Sequence, residues 1–191
     1  IPSQGTFKIV AMPNIVNQYG KVNENNLSYT WIQDGDVQSS SSGWGKNSFV
    51  FQNSYLDRGN EVEVKVSDLS GQINISKKIY LKTSSPKIVF YKNDIKLGNL
   101  WNNSLKNGYT VSKNGETIIV EPYFFSPKNI NSSQLAFDWY LNDQKIQTPY
   151  PKNILSVRPN ADQSGDAVIK VSINNINTLF QSLEKKLTVG F

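Results

Sequence analysis

The sequence predicts an all-β chain built as two antiparallel β-sandwich domains, residues 1–84 and 85–191. Three observations carry this. Apolar runs of about 4–8 residues are split by turn residues every ~8–12 positions, the spacing of an antiparallel sandwich. No stretch sustains a helical period. The segment from Leu27 to Leu81, which opens LSYTWIQDGD, has a second copy that opens LAFDWYLNDQ at Leu135. Trp31 and Trp139 stand 108 residues apart, as do Lys77-Lys78-Ile79 and Lys185-Lys186-Leu187. A repeat that holds register at both ends predicts one module used twice.

The elements follow in order. TFKIVAMP, residues 6–13, is a strand closed by proline. NQYGKVNENN is a polar turn region, and LSYTWI then places Leu27, Tyr29 and Trp31 on one face. QDGDVQSSSSGWG is a Gly/Ser-rich loop, and NSFVFQ is a further strand. NEVEVKVSD sets Val62, Val64 and Val66 against Glu61, Glu63 and Lys65, the signature of a half-buried strand with one wet face. QINISKKIYLKT completes the module. Ser85-Pro86 predicts a stiff joint, with KIVFY following at once as a strand. The stretch from Lys92 to Gly115 has no counterpart in the first half. ETIIVEPYFF then resumes the module, with Ile119 to Pro122 echoing Val10 to Pro13. QLAFDWYL, NILSVRP, GDAVIKVSI and KKLTVGF follow in the first module's order.

Composition narrows the function. The net charge is +5, but 18 of the 20 cations are Lys and only Arg58 and Arg158 offer a guanidinium. Nucleic-acid sites lean on Arg for bidentate contacts, so no nucleic-acid partner is expected. The chain has neither Cys nor His, which removes thiol nucleophiles, thiolate and imidazole metal ligands, and every His-based catalytic arrangement. No apolar run reaches the ~18–20 residues of a membrane span, so membrane attachment is expected only through segments outside these residues. No signal peptide is present; Ile1 reads as the start of a processed or trimmed chain, and Phe191 as an end just beyond a strand.

A Trp in the third strand followed by a Val-x-Val-x-Val strand resembles the immunoglobulin-like sandwich. Within that group, YTWIQDGD and EVEVKVSDLSG resemble the PKD-type domain's Trp-x-x-x-Gly-Asp turn and its Tyr-x-Val-x-Leu-x-Val-x-Asp-x-x-Gly strand and turn. The match covers about 50 residues. Ile32-Gln33 stands where that family has Phe-Gly, and Asn142-Asp143 replaces Asp34-Gly35 in the second copy. SPKIVFY, VEPYFFSP and LAFDWYLND are similar to envelope proteins of small-genome bacteria that carry tandem modules of this kind. The resemblances imply two tandem immunoglobulin-like domains and an extracytoplasmic location, at the bacterial surface, in the periplasm or secreted.

Candidate residues divide into core and surface. Trp31, Trp139, Val64, Val66 and Val171 alternate on apolar faces and are expected to form the core. Trp44, Trp101 and Tyr109 have no partner in the other copy and lie among Ser, Gly and Asn, so they are the candidates for ligand contact. Asp34, Asp36, Asp57 and Asp68 could assemble a calcium site, but they sit in ordinary turn sequences and no twelve-residue calcium loop is present. No other cofactor is expected. Glu121 and Asp138 could be drawn into an acid–base pair, yet nothing in the sequence places them together, and no catalytic residue is assigned. The function expected is a non-catalytic module for protein interaction, adhesion or spacing, with another envelope protein or a surface glycan as partner. The alternative is a carbohydrate-binding accessory module of a larger surface enzyme.

Overall fold

The computed structural model describes residues 1–147, 150–159 and 164–191. Its regular structure is β-strand, paired almost throughout in antiparallel sheets, with one 3-10 turn at Glu24–Asn26. No helix among the described residues is long and apolar enough to cross a membrane. The chain divides into two compact units, Ser3–Ser84 with Ile1 and Ser85–Phe191 with Pro2.

In the first unit β1 (Thr6–Val10) pairs with β7 (Ser48–Gln52), and β2 (Val16–Asn17) and β3 (Gly20–Lys21) form a small hairpin. β4 (Ser28–Gln33), β5 (Asp36–Val37), β8 (Gly59–Ser67) and β9 (Asn74–Lys82) form a sheet in the order β5-β4-β8-β9, with β6 (Gly43–Trp44) also on β4. Period-two alternation decides what is buried. Leu27, Tyr29 and Trp31 face inward with Val62 and Val66, against Phe49 and Phe51 of β7. Val64, expected in the core, is only half-buried at its edge, because β1 and β7 are alone in their sheet and cover β8 incompletely. Trp31 stacks on Phe49 with centroids 5.8 Å apart, and its indole N–H donates to the Lys46 carbonyl at 2.9 Å.

In the second unit β10 (Lys87–Asp94), β11 (Gly98–Ser104), β13 (Glu116–Tyr123) and β16 (Ile154–Val157) form one sheet in the order β11-β10-β13-β16. β12 (Tyr109–Thr110), β14 (Leu135–Leu141), β15 (Gln144–Ile146), β17 (Asp166–Asn175) and β18 (Ser182–Gly190) form the other, in the order β12-β18-β17-β14-β15. The β12–β18 pairing is parallel and the rest are antiparallel. Ile88, Phe90, Ile118 and Val120 meet Phe137, Trp139, Ile169, Val171 and Leu187 across a closed core. Trp139 donates to the Lys152 carbonyl at 2.9 Å.

Two stretches carry strands that the sequence reading did not assign. Lys92 to Gly115 holds the end of β10, all of β11 and the parallel strand β12, and the Gly/Ser-rich loop after β4 holds β5 and β6. Strands of two residues leave too short a trace for periodicity to register, and the seven residues of β11, GNLWNNS, do not alternate. The turn after Gln33 is a two-residue hairpin in which Asp34 (φ 50°) and Gly35 (φ 94°) are both left-handed. Asn142 (φ 49°) and Asp143 (φ 63°) make the same turn between β14 and β15. Asp34 accepts from the Glu61 N–H and Asn142 from the Val168 N–H, each at 2.8 Å, so a side-chain oxygen ties each hairpin to the neighbouring strand.

Candidate functional site

One end of the second unit gathers exposed apolar side chains on a rigid polar base. The loops are Phe124–Gln134, between β13 and β14, and Ile176–Gln181, between β17 and β18. Ile176 N–H donates to the Gln134 carbonyl at 2.9 Å and Asn175 N–H to the Gln181 carbonyl at 2.8 Å, which brings both loops to the same end. Beneath them the Gln181 side-chain oxygen accepts from the Ser126 N–H at 2.8 Å, the Ser126 hydroxyl at 3.1 Å and the Asn175 amide at 2.9 Å. Gln181 and Asn175 are buried, and burial of such amides is tolerated because each polar atom is matched. Above this lock Ile176, Leu179 and Phe180 stand in solvent, Leu179 81% exposed. Phe124 is also exposed and holds φ 62°, a left-handed conformation that costs a bulky residue about 1–2 kcal/mol.

The aromatics singled out in the sequence lie in three settings. Trp44 is on β6, paired with Ser28, and is 48% exposed. Trp101 is on the edge strand β11 and 49% exposed; its ring meets Tyr91 edge-on with centroids 5.1 Å apart. The Tyr91 and Tyr123 hydroxyls are 3.0 Å apart, and this contact, with burial, pushes Tyr123 up to about 12. Tyr109 is half-buried against the second core, and its hydroxyl donates to Glu116. Burial and then Glu116 push Tyr109 upward, so it stays protonated. Trp101 and Tyr109 belong to opposing sheets. Trp31, Trp139, Val66 and Val171 are buried core residues.

The carboxylates are spent on local structure. Asp57 accepts from Ser54 N–H at 2.7 Å, and Asp68 accepts from the Ile73 N–H at 2.9 Å and from the Ser70 hydroxyl. The Ser70 and Ile73 bonds hold Asp68 below the usual carboxylate range. Among the described residues no three acidic groups gather into a cation site. Glu121 alternates with the inward Ile118 and Val120, and Asp138 with the inward Phe137 and Trp139, so the two carboxylates face out from opposite sheets. Burial raises Glu121, while Asp138 pairs with Lys145 at 2.7 Å.

The loop-end residues Phe124, Ile176, Leu179 and Phe180 escaped the sequence reading. A signal was present: IleAsnThrLeuPhe, residues 176–180, brings three apolar side chains into a hairpin connection where polar turn residues are expected. No protein-family model matches the chain, and no curated protein matches it in sequence.

Proposed function

We propose that the chain is a non-catalytic, extracytoplasmic pair of immunoglobulin-like modules, the first PKD-like, and that it binds another envelope protein through the loop end of the second. Strand order supports the module type. In an immunoglobulin-type sandwich strands A, B and E share one sheet, C, F and G share the other, and a C′ strand extends the latter. β10, β13 and β16 fit the first set, and β14, β15, β17 and β18 fit the second. β1 and β7, then β4, β5, β8 and β9, follow the same partition. The paired indole bonds of Trp31 and Trp139 and the paired side-chain ties of Asp34 and Asn142 support duplication of one module.

The observation that carries the binding reading is the apolar loop Ile176–Phe180 raised on the Gln181–Ser126–Asn175 lock. Apolar side chains exposed together on one loop mark a surface that a partner can cover, and recognition in sandwiches is carried by loops on a rigid frame. The test compares the full chain with L179S/F180S as immobilised bait for envelope proteins. A discrete partner retained by the parent chain and lost by the variant, with both melting alike, supports the reading; equal capture by both refutes it.

Trp101 favours a second reading, the carbohydrate-binding accessory module. Its half-open ring stands on an edge strand, on the same face as Asn99 and Asn103, apolar face and polar handles together. On a glycan array, binding that is lost in Trp101→Ala or Trp44→Ala and kept in L179S/F180S would select this reading over the first.

A further inference from the structure

The two units differ at one strand position. In the second, β13 has a partner on each side, β16 on one and β10 on the other. In the first, β1 has β7 alone. The correspondence is fixed by hydrogen bonds: Ala11 N–H donates to the Asn47 carbonyl and Val120 N–H to the Asn153 carbonyl, both at 2.8 Å. In an antiparallel ladder, bonding groups alternate between the two sides of a strand. Ala11 faces β7, so Lys8 and Val10 present their backbone N–H and C=O groups to the other side, where no strand among the described residues pairs with them. Residues 1–5 lie elsewhere, since Ile1 bonds to Lys82 and Ser84, and Gly5 to Asn53.

Beside that edge the sandwich is open. A cleft of about 290 Å³ lies between β1 and β9, lined by Ile9, Met12, Val64, Ile75 and Ile79. The second unit has Ile88 and Phe90 of β10 at the corresponding place, both buried and standing beside Pro122 and Val120 of β13 in the same sheet. There Leu187 and Val189 of β18 are buried; Ile79 and Leu81 of β9 in the first unit are only half-covered.

We propose that the β1 edge is an acceptor for an extended strand of a partner protein, which pairs antiparallel with Lys8 and Val10 and sends two large apolar side chains, two residues apart, into the cleft. β10 is the template for that occupant. Backbone pairing supplies affinity in such strand addition, and the pockets for alternate side chains supply specificity. A second copy of the chain fits poorly, because a β1–β1 pairing leaves Phe7 and Ile9 in their own sandwich and places nothing in the cleft. An unprotected strand edge is otherwise a liability, which gives the exposed edge a reason to be used. The inference deepens the binding reading and rests on it only through the correspondence of the two units.

The probe is an acetylated peptide of the β10 sequence, Pro86 to Asp94, added to the full chain. Saturable binding is expected, with hydrogen-exchange protection appearing at the Lys8 and Val10 amides. A peptide with Ile88→Ser and Phe90→Ser should bind at least roughly tenfold more weakly. One N-methylated at Val89 and Tyr91, whose counterparts in β10 face β13, should not bind. Absence of binding, or protection confined to β13, overturns the proposal. So does protection of Lys8 and Val10 that rises with protein concentration in the absence of peptide, since the edge would then serve self-association. None of these results bears on the Leu179-Phe180 loop, whose partner is read by its own variant.

Discussion

Trp139→Phe is the sharpest test of how the second unit is held together. The substitution keeps an aromatic ring in the core but removes the indole N–H that donates to the Lys152 carbonyl at 2.9 Å. Trp139 is fully buried and Lys152 half-buried, so solvent can replace that donor only where it reaches the Lys152 carbonyl. A stranded buried acceptor costs about 1–3 kcal/mol. The ring is smaller by about 40 Å³, and at roughly 24 cal/mol per Å³ of cavity this adds about 1 kcal/mol. The sum is about 2–4 kcal/mol. For a unit of this size that lowers the midpoint by about 8–32 °C at roughly 4–8 °C per kcal/mol. Trp31→Phe removes the same bond to Lys46 and should cost about as much in the first unit. Scanning calorimetry with urea titration followed by circular dichroism measures both. A cost below about 0.5 kcal/mol for Trp139→Phe would mean that the indole bond and the packing around it do not support the core as argued.

Four further outcomes follow from the geometry. Gln181→Leu leaves the donors of Ser126 and Asn175 unmatched and should cost about 2–4 kcal/mol, with faster amide exchange in the Ile176–Gln181 loop. Asn142→Ala removes the acceptor for Val168 N–H from a left-handed position and should cost about 1–2 kcal/mol by urea titration, while Asn142→Gly, which tolerates that φ, should cost less. Gly115→Ala places a methyl 2.9 Å from the Val157 carbonyl oxygen at φ 82° and should lower stability by about 2 kcal/mol or more. Glu116 is pushed up by burial, but the bonds from Tyr109 and Lys92 outweigh this and leave it below its ordinary value. A depressed carboxylate stabilises the fold above its unfolded pKa of about 4.3 and ceases to as pH falls through the lower folded value. Glu116→Gln should therefore destabilise at pH 7, with the difference from the parent shrinking below about pH 4.

The all-β class was legible because long strands write their period clearly. Leu27, Tyr29 and Trp31 alternate with polar neighbours, and Val62, Val64 and Val66 do the same, so their inward faces followed from period two alone. What escaped was set by partners distant in sequence. The strand at Gly98–Ser104 is Asn-rich and polar, and only the edge of β10 makes it a strand. Tyr109 and Thr110 are strand because β18 runs parallel beside them. Val64 looked like a core residue, but how far it is covered depends on how many strands the opposing sheet holds. The loop end was hidden for the opposite reason. An exposed Leu or Phe in sequence is indistinguishable from a buried one, and only the fold places Leu179 and Phe180 outside.

Separate expression of residues 1–84 and 85–191 tests most directly the claim that each unit is a module of its own, one with its opposing sheet closed by β10 and the other open at that place. Both halves should give strand-type circular dichroism and cooperative melts. The second should be the more stable, because β10 buries Ile88 and Phe90, worth about 1.5–3 kcal/mol each. Failure of either half to fold alone, or a first half more stable than the second, would contradict it.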